Sequence, residues 1–164
     1  MAEDEVTTDM PEYVDLKNDP VTNWDTRARG LGGSPFSSGA EENLMCLKTD
    51  GYYGESIALH EFTHTVDAGL DFADSQISKY LLTAYANAMK KGLWTNSYAA
   101  TNDAEYWAEG VQSSFNTNLQ SSPADGMHNK INTRAELKEY DPELFALIDY
   151  VLRGFEWVFG CSKL

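Results

Sequence analysis

Residues 54–69 read Gly-Glu-Ser-Ile-Ala-Leu-His-Glu-Phe-Thr-His-Thr-Val-Asp-Ala-Gly. Within this run, residues on overlapping helical faces recur without an interrupting proline: Ile57, His60, Phe62, His64 and Val66. Gly69 is a residue type that often follows the last turn of a helix. The pattern predicts one helix from residue 54 to about residue 69.

The predicted helix carries the pattern H-E-x-x-H at His60, Glu61 and His64. Residues four apart share a helical face, so both imidazoles can reach one metal ion. Glu61 lies one step round the helix and can reach a metal-bound water without being a ligand. Zn²⁺ lowers the pKa of such a water to about 7, and a glutamate can accept its proton during attack on a carbonyl. The pattern therefore predicts a zinc hydrolase. The alternative is a chance match, which is weakened because two of the chain's three histidines lie in the motif.

A catalytic zinc site usually has three protein ligands, so one more is needed. Asp67 could serve, but a carboxylate three residues after His64 could equally be solvated or support a ligand. Glu105 and Glu109 lie four apart on a later predicted helix, so one can bind the metal while the other accepts the free N–H of a ligating imidazole. We assign Glu105 as the third ligand, Glu109 as the partner of His60 and Asp67 as a further supporting carboxylate. The alternative is that the two glutamates are solvated.

Two separated blocks extend this pattern. Residues 60–67 read His-Glu-Phe-Thr-His-Thr-Val-Asp, and residues 97–109 read Ser-Tyr-Ala-Ala-Thr-Asn-Asp-Ala-Glu-Tyr-Trp-Ala-Glu. In content and order the blocks resemble the catalytic domain of the anthrax lethal factor type, a group of gluzincin zinc metallopeptidases. The likeness covers roughly residues 57–115. It departs from the group at Thr63, where the group has a small residue.

The resemblance implies a zincin-like fold and a peptidase that cleaves peptides or proteins. It implies that Zn²⁺ is held by His60, His64 and Glu105, with Glu61 as general base and Tyr98 as a hydrogen-bond donor to the oxyanion. Gluzincins pair an extended substrate with an edge strand beside the helix that carries the metal ligands. In this chain, residues 21–47 are the candidates to form such a strand. Two alternatives remain open: a zinc hydrolase acting on a non-peptide amide, and a non-catalytic domain that keeps zinc for structure.

Two further residues have open roles. His128 follows the predicted helix of Glu105 and could be a second oxyanion donor, as a histidine is in thermolysin-like gluzincins. It could instead be a loop histidine bonded to backbone, which loop position alone favours. Arg134 could bind a carbonyl or carboxylate of the substrate, but a structural salt bridge is the favoured interpretation.

The rest of the chain predicts a mainly helical α+β protein, a single metallopeptidase-like domain over residues 1–164. Further helices are expected at residues 74–91, at 102–115, after the capping pattern at Thr133 and from Pro142 to about Arg153. Residues 1–50 are rich in glycine, proline, aspartate and asparagine. We expect loops there, with short strands at residues 21–24 and 43–47.

The net charge of −14 would repel phosphate backbones and anionic membranes, so we expect neither nucleic acid nor a membrane as partner. No apolar run is long enough to span a bilayer. The acidic N-terminus does not resemble a signal peptide. We nevertheless expect a secreted, monomeric protein. Cys46 and Cys161 could form one disulfide or remain two buried thiols.

Overall fold

A computed structural model describes residues 1–33 and 35–153 of the chain. The described part is mainly helical, as predicted. Its seven α-helices, labelled in chain order, are α1 Trp24–Arg27, α2 Glu41–Leu44, α3 Ile57–Ala73, α4 Ser75–Lys90, α5 Asp103–Ser114, α6 Arg134–Tyr140 and α7 Pro142–Val151. Three 3₁₀ helices accompany them at Thr7–Asp9, Pro11–Asn18 and Tyr98–Ala100.

The helix of the His-Glu motif, α3, begins after Ser56, whose hydroxyl accepts a hydrogen bond from the N–H of Leu59. It does not end at Gly69, as we predicted, but continues one turn further to Ala73. Leu70 in the added turn packs against the hydrophobic core, which favours continuation of the helix. α3 ends before Asp74, and this residue begins the next helix, because its side chain accepts a hydrogen bond from the N–H of Gln76 in the first turn of α4.

The predicted start of α3 at residue 54 is three residues early, because the helix begins at Ile57. The other predicted helix starts are confirmed. Asn102 caps α5 by accepting from the N–H of Glu105. Thr133 and Glu136 form a reciprocal capping box at the start of α6. Asp141 caps α7, with Pro142 at its first position. These caps matter for the site, because the cap of α5 fixes where the first turn carrying Glu105 lies.

The core is built around α5, which is buried from Tyr106 through Ser114. The apolar side chains of α4, α6 and α7 pack on it; among the fully buried ones are Leu137, Leu144 and Ile148. Gly110 permits this packing, because a Cβ there would lie 2.4 Å from Cδ2 of Leu144. Within the described residues, no helix is both long and apolar enough to cross a membrane.

The two strands predicted near the N-terminus are wrong. Residues 21–23 are irregular and lead into α1, because the Asp19 carboxylate accepts from the N–H groups of Val21 and Thr22 and curls the chain into a turn. In the second segment Asn43 lies in α2, where its buried amide bonds Asp50 and the chain just before α3. Across the described residues, the β structure reduces to one isolated bridge, Leu31 to Ser38.

The question of the cysteines is answered in part. Cys46 lies just after α2 and is disulfide-bonded. The other cysteine of the sequence, Cys161, lies outside the described residues.

Candidate metal centre

Two histidines and one glutamate converge between α3 and α5. Oε2 of Glu105 lies 3.0 Å from Nε2 of His60 and 3.5 Å from Nε2 of His64. One ligand atom from each of the three lies within 4.8 Å of the others, and these residues form the one such metal-binding group found among the described residues. Ligands about 2 Å from a tetrahedral Zn²⁺ are about 3.3 Å apart, so the spacing fits a single ion of that size. The predicted ligand set could therefore hold a metal ion.

The two helices are held in register behind this centre. Trp107, buried on α5, donates its indole N–H to the carbonyl of Thr63 on α3, 3.1 Å away. Thr63 is itself buried, and its hydroxyl donates to the carbonyl of His60. The threonine that departs from the gluzincin pattern therefore packs at the helix contact.

The three groups are electrostatically coupled in the metal-free protein. Burial acts to lower the pKa of His60, but the hydrogen bond to Glu105, the charge of Glu109 and the contact with Gln112 outweigh it and raise that pKa to about 9. Burial likewise acts to raise the pKa of Glu105, but hydrogen bonds from His60 and His64 lower it to about 2. A proton held between histidine and carboxylate occupies the place that a metal ion would take.

The partner of the second nitrogen of His60 differs from the prediction. Nδ1 lies 2.9 Å from Oε1 of Gln112 and 3.7 Å from Oε1 of Glu109, which is too long for a hydrogen bond. The amide therefore makes the contact that we assigned to the carboxylate. The sequence carried a signal for Gln112, because positions 105, 109 and 112 follow the i, i+4, i+7 spacing of one helical face.

Glu109 is nonetheless buried beside the centre, with 4% of its surface exposed. Its Oε2 accepts from the side-chain amide of Asn118 at 2.9 Å. Burial raises the pKa of Glu109 to about 7, although the charge of His60 and the hydrogen bond from Asn118 act in the opposite direction. It is a buried neighbour of His60 rather than its direct hydrogen-bond acceptor.

Glu61 faces the cavity in front of the centre, as the motif requires. Burial raises the pKa of this carboxyl group, and the charges of His60 and His64 offset part of the rise. The nearby backbone N–H of Gly32 also acts to lower this pKa. Glu61 is thus held beside the three ligand groups without belonging to them.

Tyr98 lies in the short 3₁₀ helix before α5, and its hydroxyl donates to Oε1 of Glu105 at 3.2 Å. Burial and the charge of Glu105 raise the pKa of the phenol, although Arg27 partly opposes this. The tyrosine lines the same cavity as Glu61. The structure therefore places a protonated phenol at the metal centre.

The remaining candidates separate into two groups. His128 does reach the cavity, where its Nε2 lies 3.3 Å from Oε2 of Glu55, so its ring pairs with a carboxylate rather than with backbone. The hydrogen bond that the ring donates to Glu55 raises the pKa of His128, against the effect of burial. Arg134 forms an ion pair with Asp149 away from the cavity, in agreement with the favoured structural interpretation. Asp67 is half-buried and does not line the cavity, and its supporting role stays a prediction.

A cavity of about 660 Å³ opens in front of the centre. One wall comes from the N-terminal segment at residues 27–32, in the region where we expected an edge strand. This wall lies directly on α3, because a Cβ on Gly32 would lie 2.0 Å from the carbonyl oxygen of Glu61. Arg29 fastens the wall from behind through Glu42 and the backbone carbonyls of Ala2 and Glu5.

The chain matches no protein family, no curated protein and no solved structure. The interpretation of the site therefore depends on its own geometry: a group of two imidazoles and a carboxylate that could bind a metal ion, at the edge of a cavity.

Proposed function

We propose that the protein is a zinc-dependent hydrolase of the gluzincin type, with a zincin-like fold, that cleaves peptide bonds. The observation that carries the proposal is the convergence of His60, His64 and Glu105 beside Glu61 at an open cavity. All four positions follow from the sequence pattern that suggested this chemistry. The gluzincin assignment and the peptide substrate have their support in the resemblance of residues 57–115.

The donor set favours zinc as the cofactor. Two imidazole nitrogens and one carboxylate oxygen are a common ligand set of catalytic zinc, which leaves a fourth position open to water or substrate. Zn²⁺ in such a site supplies a Lewis acid that lowers the pKa of a bound water to about 7 and polarises the carbonyl under attack. A structural zinc would need a fourth protein ligand, and no fourth side chain belongs to the group among the described residues.

Glu61 acts as the general base in this proposal. It lines the cavity beside the ligands, and its pKa, raised by burial, lies closer to the range at which a base works well near neutral pH. Glu61 accepts the proton of the attacking water and passes it to the leaving amine.

Tyr98 and His128 supply hydrogen bonds to the substrate. The hydroxyl of Tyr98 donates to Glu105 in the metal-free protein. In the proposed reaction it donates instead to the oxyanion as the tetrahedral intermediate forms. His128 lines the same cavity and is held by Glu55, which keeps its ring in place as a second donor. The N-terminal wall is the surface along which an extended peptide would lie.

Replacement of Glu61 by Gln tests the proposal. The amide keeps the size of the side chain but cannot accept a proton, so hydrolysis of a diverse peptide mixture, followed by mass spectrometry, should fall by a factor of about 10²–10⁴ while bound zinc is unchanged. Asp103→Asn, an acidic residue on α5 that does not belong to the ligand group, is the matched control and should retain activity. Full activity of the Glu61→Gln variant would exclude this mechanism. A panel of non-peptide amides distinguishes a peptidase from a different amide hydrolase.

A further inference from the structure

We propose that Gln112, held in one orientation by Glu55, is the residue that positions His60 as a metal ligand. The inference deepens the proposed zinc site and depends on it. Gln112 lies in the last turns of α5, and Glu55 lies just before α3. Neither residue belongs to the sequence motif, and together they join the two metal-bearing helices behind the ligands.

The first step is the contact with His60. The amide oxygen of Gln112 lies 2.9 Å from Nδ1 of the imidazole. An amide oxygen can only accept, so this contact requires a proton on Nδ1. In the metal-free protein the other nitrogen, Nε2, donates its proton to Glu105, and loss of that proton would free the Nε2 lone pair for a metal ion where the candidate ligands converge. Hydrogen bonds of this kind fix the tautomer and the ring orientation of metal-binding histidines.

The second step is the orientation of the amide itself. The nitrogen Nε2 of Gln112 donates both of its hydrogens, to Oε1 of Glu55 and to the carbonyl of Ser56, each at 3.0 Å. If the amide were turned over, its oxygen would face two acceptors and its NH₂ group would face His60. Glu55 and Ser56 therefore select the orientation in which Gln112 presents its oxygen to His60.

Burial gives this chain of hydrogen bonds its rigidity. Gln112 is fully buried, and Glu55 retains only 4% exposure, so water does not compete for either contact. His128 approaches the other carboxylate oxygen of Glu55 at 3.3 Å. One continuous path of side chains thus runs from the cavity residue His128, through Glu55 and Gln112, to the ligand His60.

The decisive quantity is the affinity for Zn²⁺ alone, measured by competition with a chromophoric chelator. Gln112→Met keeps the length of the side chain but removes the acceptor, and it should weaken zinc binding about 10- to 100-fold. Glu109→Gln should have a smaller effect, because Glu109 makes no hydrogen bond to His60. Tyr106, which lies on α5 like Gln112, donates its buried hydroxyl to Asp141 at the start of α7, and Tyr106→Phe should leave the affinity unchanged.

A double-mutant cycle separates positioning by Glu55 from its negative charge. Glu55→Met removes the acceptor together with the charge, so it should weaken zinc binding in the wild-type background but have no further effect beside Gln112→Met, because the action of Glu55 passes through the amide. An equal effect in both backgrounds would show that Glu55 acts only as a charge and would overturn this step. Unchanged affinity in Gln112→Met, or a larger loss in Glu109→Gln, would overturn the role of Gln112.

A spectroscopic readout needs no variant. In zinc-loaded protein with ¹⁵N-labelled histidine, long-range ¹H–¹⁵N spectra should show His60 bound through Nε2 and protonated at Nδ1. Coordination through Nδ1 would contradict the inference even if Gln112→Met does not fold. The two levels of the proposal fail differently: wild-type protein that binds no zinc rejects both, while tight binding with Nδ1 coordination rejects only the role of Gln112.

Discussion

The indole N–H of Trp107 donates to the carbonyl of Thr63, 3.1 Å away, and this bond joins the two helices that carry the candidate metal ligands. Trp107 lies two residues after Glu105, and Thr63 lies between the two histidines. Both partners are buried, with 1% exposure each. The relative position of the ligands on α3 and α5 therefore depends on a contact one layer behind them.

Trp107→Phe should reduce the free energy of unfolding by about 1–3 kcal/mol, because it removes a buried hydrogen bond and leaves part of the indole volume empty. It should also weaken zinc binding, because the registration of α5 on α3 is loosened. Trp94→Phe is the control: Trp94 is equally buried and donates to Asp141, away from the ligands. Denaturant unfolding measures the free energy of unfolding of both variants. If the two lose similar amounts and bind zinc equally well, the Trp107–Thr63 contact stabilises the fold without positioning the candidate ligands.

The stability of the metal-free protein should decrease as pH rises from about 4.5 to 9. His60 has its pKa raised from 6.5 to about 9, so its stabilising contribution is complete below pH 6.5 and is lost as pH rises through 9. Glu109, raised from 4.5 to about 7, acts in the same direction between those values. Glu105, lowered from 4.5 to about 2, is stabilising above pH 4.5 and loses this contribution toward pH 2.

Thermal unfolding in the presence of a chelator across this pH range measures the effect. Glu109→Gln should remove the part of the slope between pH 4.5 and 7 and reduce the part between 6.5 and 9, because the charge of Glu109 contributes to the raised pKa of His60. A stability that increases from pH 6.5 to 9 would contradict the coupling between His60 and Glu105.

Tyr98→Phe should lower kcat by about 10²-fold, the range measured for single oxyanion donors, while KM changes little. Zinc content should stay near that of the wild type, because Tyr98 contacts the ligand Glu105 only through Oε1. Tyr85→Phe removes a hydroxyl that donates to the carbonyl of Ala100, at the end of the same 3₁₀ helix, and should leave kcat unchanged. Loss of zinc in Tyr98→Phe would assign the tyrosine to metal binding rather than to the oxyanion.

Gly32→Ala should displace the N-terminal wall from the metal helix, because the added Cβ would lie 2.0 Å from the carbonyl oxygen of Glu61. We expect lower stability and a larger fall in kcat/KM than in zinc affinity, since the wall borders the cavity that we propose binds the substrate. In Gly69→Ala the new methyl meets nothing within 4 Å, and the helix should gain about 0.5–1 kcal/mol. Calorimetry measures the change in stability, and peptide kinetics measures the change in kcat/KM. Wild-type kinetics in Gly32→Ala would show that the N-terminal wall does not contribute to substrate binding.

The helix caps and the two candidate histidine ligands could be predicted from the sequence because each depends on local spacing. Asn102, Thr133 and Asp141 begin helices where their side chains bond the first turn, and His60 and His64 share a face by helical geometry alone. The N-terminal segments could not be read in this way. There, side-chain contacts such as those of Asp19 replaced the predicted strands with turns.

The surroundings of the ligands required the tertiary structure. Gln112 lies at a helical spacing that was available in the sequence, but the choice between it and Glu109 depends on how α5 crosses α3. Glu55 lies more than 50 residues from Gln112 in the sequence, and no local pattern links the two. Gly32 likewise reaches Glu61 only through the folding of the N-terminal segment.

Element-resolved metal analysis of the purified protein tests the central claim most directly. The account predicts about one equivalent of zinc per wild-type chain, and its loss in Glu105→Ala, which removes the only carboxylate of the ligand group found among the described residues. Asp103→Ala, in the same first turn of α5, should retain the metal. Absence of zinc from the wild type after exposure to Zn²⁺, or full retention in Glu105→Ala, would contradict the metal centre.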